Sequence, residues 1–298
     1  MSVPFISSDC SLFLVLDGKK YNLNDYETTN RLLGRFVGFL DKVFSLRDDS
    51  DIHMITLMLH ILNDALVEAL NRWIRAAVSH NVKDLNINVG YYLNKAYEIP
   101  SQLLNCKSLT SLGIVFIRPS GIGMYTDIIL PKSISLPQIK TLWFNRISIS
   151  NLELQRLFSA CPLVELAIIL DCDVRRIDQR NIIIDTHSLQ TFALVSNRRT
   201  HLGSVDHSLT CTTKISSQNL KRLICIGFMT EDFSVENLSS LLRAQLKMRV
   251  REEETDETAE TYSLLPVQEK SVFAKRMMKY LRAVHNVQRL TLSSGFLE

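Results

Sequence analysis

Along this chain one short phrase of apolar and polar positions keeps returning: apolar, two variable residues, apolar, one variable residue, apolar. It reads Val82, Leu85, Ile87; then Leu109, Leu112, Ile114; then Ile139, Leu142, Phe144. It continues as Leu163, Leu166, Ile168; Leu189, Phe192, Leu194; and Leu220, Leu223, Cys225. A weaker copy has Arg243 in its first slot and ends at Leu246 and Met248, and a late one reads Val287, Leu290, Leu292. First slots recur every 23 to 31 residues up to position 243; the next step, of 44, holds an acidic run and reads as a loop inserted in one repeat. Within each phrase the last two apolar positions lie two apart, so they share one side of a short strand. Such a strand cannot bury that side alone. Stacking each copy on the next makes one continuous core.

The segments between phrases supply the return path. Asn151 to Phe158 places Leu152, Leu154, Leu157 and Phe158 largely along one side, and Cys161-Pro162 stops it. Val272 to Leu281 sets Val272, Phe273, Met277 and Tyr280 against Lys275, Arg276 and Lys279. Pro119 to Pro131 reads as irregular. In the first third, Leu33, Phe36, Val37, Leu40 and Val43 mark an amphipathic helix from about Asn30 to Leu46. Leu66, Leu70, Trp73, Ile74 and Ala77 mark a second, with Asp64 as N-cap. Ile55, Leu57 and Leu59 alternate as a strand of a first, divergent repeat. The pattern predicts an α/β leucine-rich-repeat solenoid: a curved parallel sheet with helical and irregular return segments, in about eight or nine repeats. Residues 1–50 are expected as an N-terminal segment with one amphipathic helix, and residues 51–298 as the solenoid.

Composition narrows the picture. With 298 residues, 46% apolar and 22% charged, the chain can bury a core without disulfides or metals as staples. A formal charge of +3 is too small for a nucleic-acid footprint, and the only dense charge run, Glu252 to Glu260, is acidic. That run reads as a solvated loop. The best apolar run, Ile55 to Leu62, is broken by Thr56 and His60, so no membrane span is expected. The first residues lack a secretory signal, and six cysteines without a CxxC pair suit reduced thiols in the cytoplasm, the nucleus or both.

The strand pattern also says which side chains point away from the core. These are Asn86 and Asn88; Gly113 and Val115; Trp143 and Asn145; Ala167 and Ile169; Ala193 and Val195; Ile224 and Ile226. A contiguous apolar surface there marks an interaction site, and Trp is enriched in binding hot spots. The expected partner-binding residues on the concave face are therefore Val115, Trp143, Asn145, Ala167, Ile169, Val195, Ile224 and Ile226. Two other readings stay open: an insertion such as 119–131 folds over the patch, or a one-residue register slip buries these groups. No cofactor, metal or catalytic set is expected. Cys106 and Cys161 lack partners at ligand spacing and read as buried thiols. His201, His207 and Cys211 sit in a polar Ser/Thr stretch and read as a surface loop. Gly121-x-Gly123 lacks the third glycine of a dinucleotide site, and Asp171, Asp173 and Asp178 show no fixed register. A triad scattered in sequence stays open.

Several phrases resemble a known family. Asn71-Arg72-Trp73-Ile74 followed by Val82-Lys83-Asp84-Leu85 is similar to the opening of the repeats in plant F-box/leucine-rich-repeat proteins, the group often carrying a C-terminal FBD domain. Arg35-Phe36-Val37 through Leu46-Arg47 resembles the helix those proteins place after the F-box. Leu136-Pro137-Gln138-Ile139 and Leu157-Phe158-Ser159-Ala160-Cys161-Pro162-Leu163-Val164-Glu165-Leu166 look like two of the family's repeat phrases. Lys275-Arg276-Met277-Met278 and Leu290-Thr291-Leu292-Ser293 through Phe296-Leu297-Glu298 match the later part. The resemblance implies the substrate-recognition half of a subunit of a cullin-based ubiquitin ligase, whose F-box docks on a Skp-family adaptor while the repeats hold the target protein. No F-box is seen before residue 30, and Glu298 precedes any FBD domain, so docking on the adaptor is not carried over. An F-box-less decoy or a non-functional remnant of the family are the alternative readings; a small α/β enzyme is the reading from another class.

Overall fold

The computed structural model describes residues 5–6, 11–16, 26–59, 64–90, 96–117, 125–175, 182–195, 212–228, 232–236, 238–249 and 267–293. The chain forms two units, Met1–Ser148 and Ile149–Glu298. In chain order the first runs β1 (Phe5–Ile6), β2 (Ser11–Leu16), α1 (Tyr26–Ser45), β3 (Met54–Leu59), α2 (Asp64–Ser79), β4 (Asp84–Gly90), β5 (Tyr97–Glu98), β6 (Ser111–Ile117), β7 (Thr126–Ile129), β8 (Thr141–Asn145) and β9 (Ile147–Ser150). The second runs α3 (Asn151–Ser159), β10 (Leu166–Leu170), β11 (Asp173–Arg175), β12 (Ile182–Asp185), β13 (Thr191–Val195), β14 (Thr212–Ser216), β15 (Arg222–Phe228), β16 (Asp232–Glu236), β17 (Arg243–Arg249), α4 (Val267–Ala283) and β18 (Arg289–Leu292).

The fold is mixed α/β of the leucine-rich-repeat type, and its rungs are the apolar phrases. In the first unit β2, β3, β4, β6 and β8 lie side by side and parallel, with β1 antiparallel on the outer edge. Register aligns Leu12, Ile55, Leu85, Leu112 and Leu142 in one row and Leu14, Leu57, Ile87, Ile114 and Phe144 in the next, all buried. In the second unit β10, β13, β15, β17 and β18 are likewise parallel. Ordering a five-residue strand loses roughly 5–10 kcal/mol of backbone entropy, at about 1–2 kcal/mol per residue. Two buried aliphatic side chains return roughly 3–6 kcal/mol. A rung is therefore unstable alone and is held by its neighbours.

Where each rung turns, the residue after the first apolar slot joins it to the rung before. The backbone N–H of Lys140 donates to the Thr110 carbonyl, that of Gln190 to Glu165, and that of Lys221 to Gln190, each at 2.8 Å. Hydroxyls reinforce the corner: Ser108 Oγ donates to the Val82 carbonyl (3.0 Å) and Ser217 Oγ to that of Leu189 (2.9 Å).

The helices α1 and α2 form where the apolar periodicity places them. Trp73 is buried, meets Phe36 edge to face with centroids 6.1 Å apart, and donates its indole N–H to Asp41 Oδ1 at 2.8 Å. α3 opens with a capping box: Ser150 Oγ accepts from the Glu153 N–H (3.2 Å), and the Ser150 N–H donates to Glu153 Oε2 (3.3 Å).

The structure differs from the sequence expectation in four places. Ser11–Leu16, within the segment expected to hold one helix, is a further parallel rung on β3. Several returns expected as helical or irregular are short strands: β5, β7 and β9 form one row, and β12, β14 and β16 another. Thr126–Ile129 thus replaces part of the irregular segment expected over 119–131, of which 119–124 lie outside the described residues. Runs such as Ile182-Ile183-Ile184 are β-branched, which favours a pleated, half-buried strand. The weak copy begins at Leu241, with Ala244 and Leu246 buried, two residues before the expected Arg243. The fourth phrase is displaced by one residue, with consequences for the candidate surface.

Candidate functional site

Alternate positions of the parallel strands turn away from the core, and each unit presents its own outward face. In the first unit one row across that face reads Phe13, Thr56, Asn86, Gly113, Trp143. Phe13 and Trp143, at its two ends, are 44% and 39% exposed. A Cβ built at Gly113 would collide with Asn86 Oδ1 and lie 3.8 Å from Trp143 Cε3. The missing side chain is what lets Asn86 and the indole close over the strand. Asn86 is held there by its Nδ2, which donates to Asp84 Oδ1 at 2.8 Å. Val115 and Asn145 are register partners in the adjoining row. Val115 is buried and Asn145 half-buried, and Asn145 Oδ1 is a buried acceptor with no hydrogen-bond partner among the described residues. The first unit therefore brings Val115, Trp143 and Asn145 onto one face, with Trp143 the one that projects.

In the second unit Val195, Ile224 and Ile226 are half-buried on the outward face, with Val195 and Ile226 paired in register. Ala167 and Ile169 are not on it. They are 0% and 3% exposed and point into the core with Val164, while Leu163 is 41% exposed. The outward residues of β10 are Leu166, Ile168 and Leu170. The cause is that both frames of this phrase are apolar, so periodicity alone cannot choose. One signal could have chosen. The position after the first slot is polar in the neighbouring copies (Lys83, Thr110, Lys140, Gln190, Lys221), which selects Glu165 and hence Val164. Glu165, Gln190 and Lys221 form a side-chain ladder there: Gln190 Nε2 donates to Glu165 Oε2 and Lys221 Nζ to Gln190 Oε1, both at 3.4 Å.

Other candidates stay apart from these faces. Cys106, Cys161, Cys172 and Cys225 are buried thiols outside any disulfide, and burial pushes the Cys161 thiol up to about 12. Asp171 takes a left-handed backbone at the end of β10, at φ 46°, as Arg146 does after β8 at φ 57°. Both stand where the chain leaves a rung. His201, His207, Cys211, Asp178, Gly121, Gly123 and the acidic run lie outside the described residues. No group of three or more His, Cys, Asp or Glu is arranged to hold a metal among the described residues, and no described helix is long and apolar enough to cross a membrane.

Comparison with known proteins agrees with this architecture. The family model described as "FBD-associated F-box protein At5g56370, LRR repeats" matches residues 70–209. The putative F-box/LRR-repeat protein At3g58880 of Arabidopsis thaliana is 24% identical over 99% of the chain and 58% of its own length. The putative F-box protein At1g58310 from the same plant is 23% identical over 86% of the chain and 49% of its own length, and the F-box protein At4g09920 is 29% identical over 63% and 54%. The chain spans about half the length of the curated relatives it matches. No solved structure matches.

Proposed function

We propose that this chain, a relative of the plant F-box/leucine-rich-repeat proteins, recognises another protein through the outward faces of its parallel sheets. In this reading Val115, Trp143 and Asn145 of the first unit and Val195, Ile224 and Ile226 of the second contact the target. Leu166, Ile168 and Leu170 take the place first given to Ala167 and Ile169. The observation that carries the reading is Trp143: a large indole, more than a third exposed, projecting beside a glycine on an otherwise well-packed sheet. Trp in such a setting supplies contact area at little loss of conformational freedom, which is why it dominates binding hot spots. The interaction role is the one the relatives' repeats support.

The finer assignment is that the repeats hold a protein destined for ubiquitination, as the substrate-binding part of an F-box subunit. Two measurements separate the levels. Trp143→Asp and Ile224→Asp change outward side chains, so circular dichroism should remain that of the wild type while capture of co-purifying plant proteins falls about tenfold. Unchanged capture by both variants removes these faces from consideration. Co-precipitation of a Skp-family adaptor with the full-length protein tests the ligase assignment. Its absence, with capture intact, leaves an interaction module outside the ubiquitin system.

A further inference from the structure

The outward face of the second unit changes character from strand to strand. Its first row reads Leu166, Thr191, Arg222, Arg243, Arg289 in register, and its second Ile168, Ala193, Ile224, Gln245, Thr291. Arg222, Arg243 and Arg289 therefore stand abreast on three neighbouring strands, with backbones about 4.8 Å apart. All three are exposed, and none has a side-chain hydrogen bond or ion pair among the described residues. Lys247 lies on β17 two residues beyond Gln245, is exposed too, and faces the same way. At the corner of these coils the chain sets Glu165, Gln190 and Lys221 in complementary order. On the outward face it does the reverse: the positions flanking the arginines, Ile224, Gln245 and Thr291, carry no carboxylate. Like charges placed abreast repel and destabilise a sheet, so the row is charge without a carboxylate partner among the described residues, on a rigid support. Guanidinium groups prefer planar anions, which they grip through two parallel hydrogen bonds.

Taking the sheet faces as the binding surface, we infer that the second unit binds an extended acidic segment of its protein partner, whose carboxylates lie along Arg222, Arg243 and Arg289 while adjoining apolar side chains rest on Ile224 and Ile226. The juxtaposition selects the occupant. The basic row borders half-buried aliphatic residues, which an acidic peptide with interspersed Leu or Ile complements. A nucleic acid wants aromatic stacking platforms along its track, and neither of the two rows that hold the arginines and Ile224 contains an aromatic residue. Alternate residues of an extended peptide stand about 6.7 Å apart, a spacing that flexible arginines on neighbouring strands can follow.

The test uses the full chain and two fluorescent peptides of equal length and Leu content, one with Glu and the other with Gln at alternate positions. The Glu peptide should bind about tenfold or more tightly than the Gln peptide at low salt, and the preference should shrink in high salt as screening sets in. Arg222→Ala, Arg243→Ala and Arg289→Ala combined should abolish the preference, and Lys107→Ala, at an exposed turn of the other unit, should leave it intact. Equal binding of the two peptides overturns the inference, as does persistence of the preference in the triple variant, or tighter binding of a single-stranded oligouridine than of the Glu peptide. Because capture of protein partners is read separately through Trp143, losing the peptide preference while capture still depends on Trp143 rejects only this inference. Loss of both rejects the wider proposal.

Discussion

At the residue scale, Gly113 shows how one missing Cβ shapes a surface. It lies under Asn86 and beside Trp143, and a side chain there must displace an amide anchored on Asp84. Gly113→Val should destabilise by about 1–3 kcal/mol, the usual penalty of overpacking, read as a shift in urea midpoint. Removing the obstacle in the double variant with Asn86→Ala should recover a large part of that loss, because the two positions couple through direct contact. If the double variant is no better than the single one, the collision is not what holds position 113 to glycine. Arg146 and Asp171 illustrate another point invisible in periodicity. Each adopts the left-handed backbone where a rung ends, a conformation set by the turn and not by the residue type.

At the element scale, the joint between α1 and α2 rests on Asp41. One carboxylate oxygen accepts the Trp73 indole N–H at 2.8 Å, and the other meets Arg72 at 2.9 Å. The ion pair is nearly half exposed, so it contributes at most about 1 kcal/mol. The bond to the indole matters more, since Trp73 is buried and an unpaired buried donor costs about 1–3 kcal/mol. Asp41→Ala should therefore destabilise by roughly 2 kcal/mol, and Asp41→Asn, which keeps a carbonyl acceptor, by clearly less. Urea unfolding followed by far-ultraviolet circular dichroism ranks the two. Equal losses would mean that the charge, and not the hydrogen bond, is what joins these helices. Periodicity located both helices; their lateral bond needed an acceptor on one and a donor 32 residues later on the other.

At the scale of the whole molecule, stability should decline on the alkaline side. Cys161 has an ordinary thiol value of 9.0, and burial raises it to about 12 in the folded chain. Between those values the unfolded thiol has lost its proton while the folded one keeps it, so unfolding releases a proton and rising pH favours it. The stabilisation is complete below 9 and is lost toward 12, at up to about 1.4 kcal/mol per pH unit. Tyr97, held by burial above its ordinary 10.0, acts in the same direction at higher pH, with its hydroxyl donating to Asn71 Oδ1 at 2.9 Å. Urea midpoints measured from pH 8 to pH 11 should fall, and the Cys161→Ala variant should show a shallower decline. A slope identical in the variant would mean that the thiol titrates as if in water. At pH 8 the same burial should protect Cys161 from alkylation until the chain is unfolded, as peptide mass spectrometry would read.

By itself the sequence determined that short apolar phrases stack as parallel rungs, since a strand with apolar residues two apart has no stable state without a neighbour offering the same side. It also placed the four α-helices among the described residues and assigned Trp143, Val115 and Asn145 to one side of their rungs. What it left undecided was every choice between frames of equal apolarity. Leu163 and Val164 both satisfy the phrase, and only the polar corner at Glu165, hydrogen-bonded to the coil beside it, settles which enters the core. The rung at Ser11–Leu16, the strands among the returns and the row of Arg222, Arg243 and Arg289 belong to the same class. Each depends on which residues lie abreast in neighbouring coils, separated in the chain by twenty residues or more. Local periodicity fixes the side a residue faces only where one frame alone is apolar, and lateral register decides its neighbours.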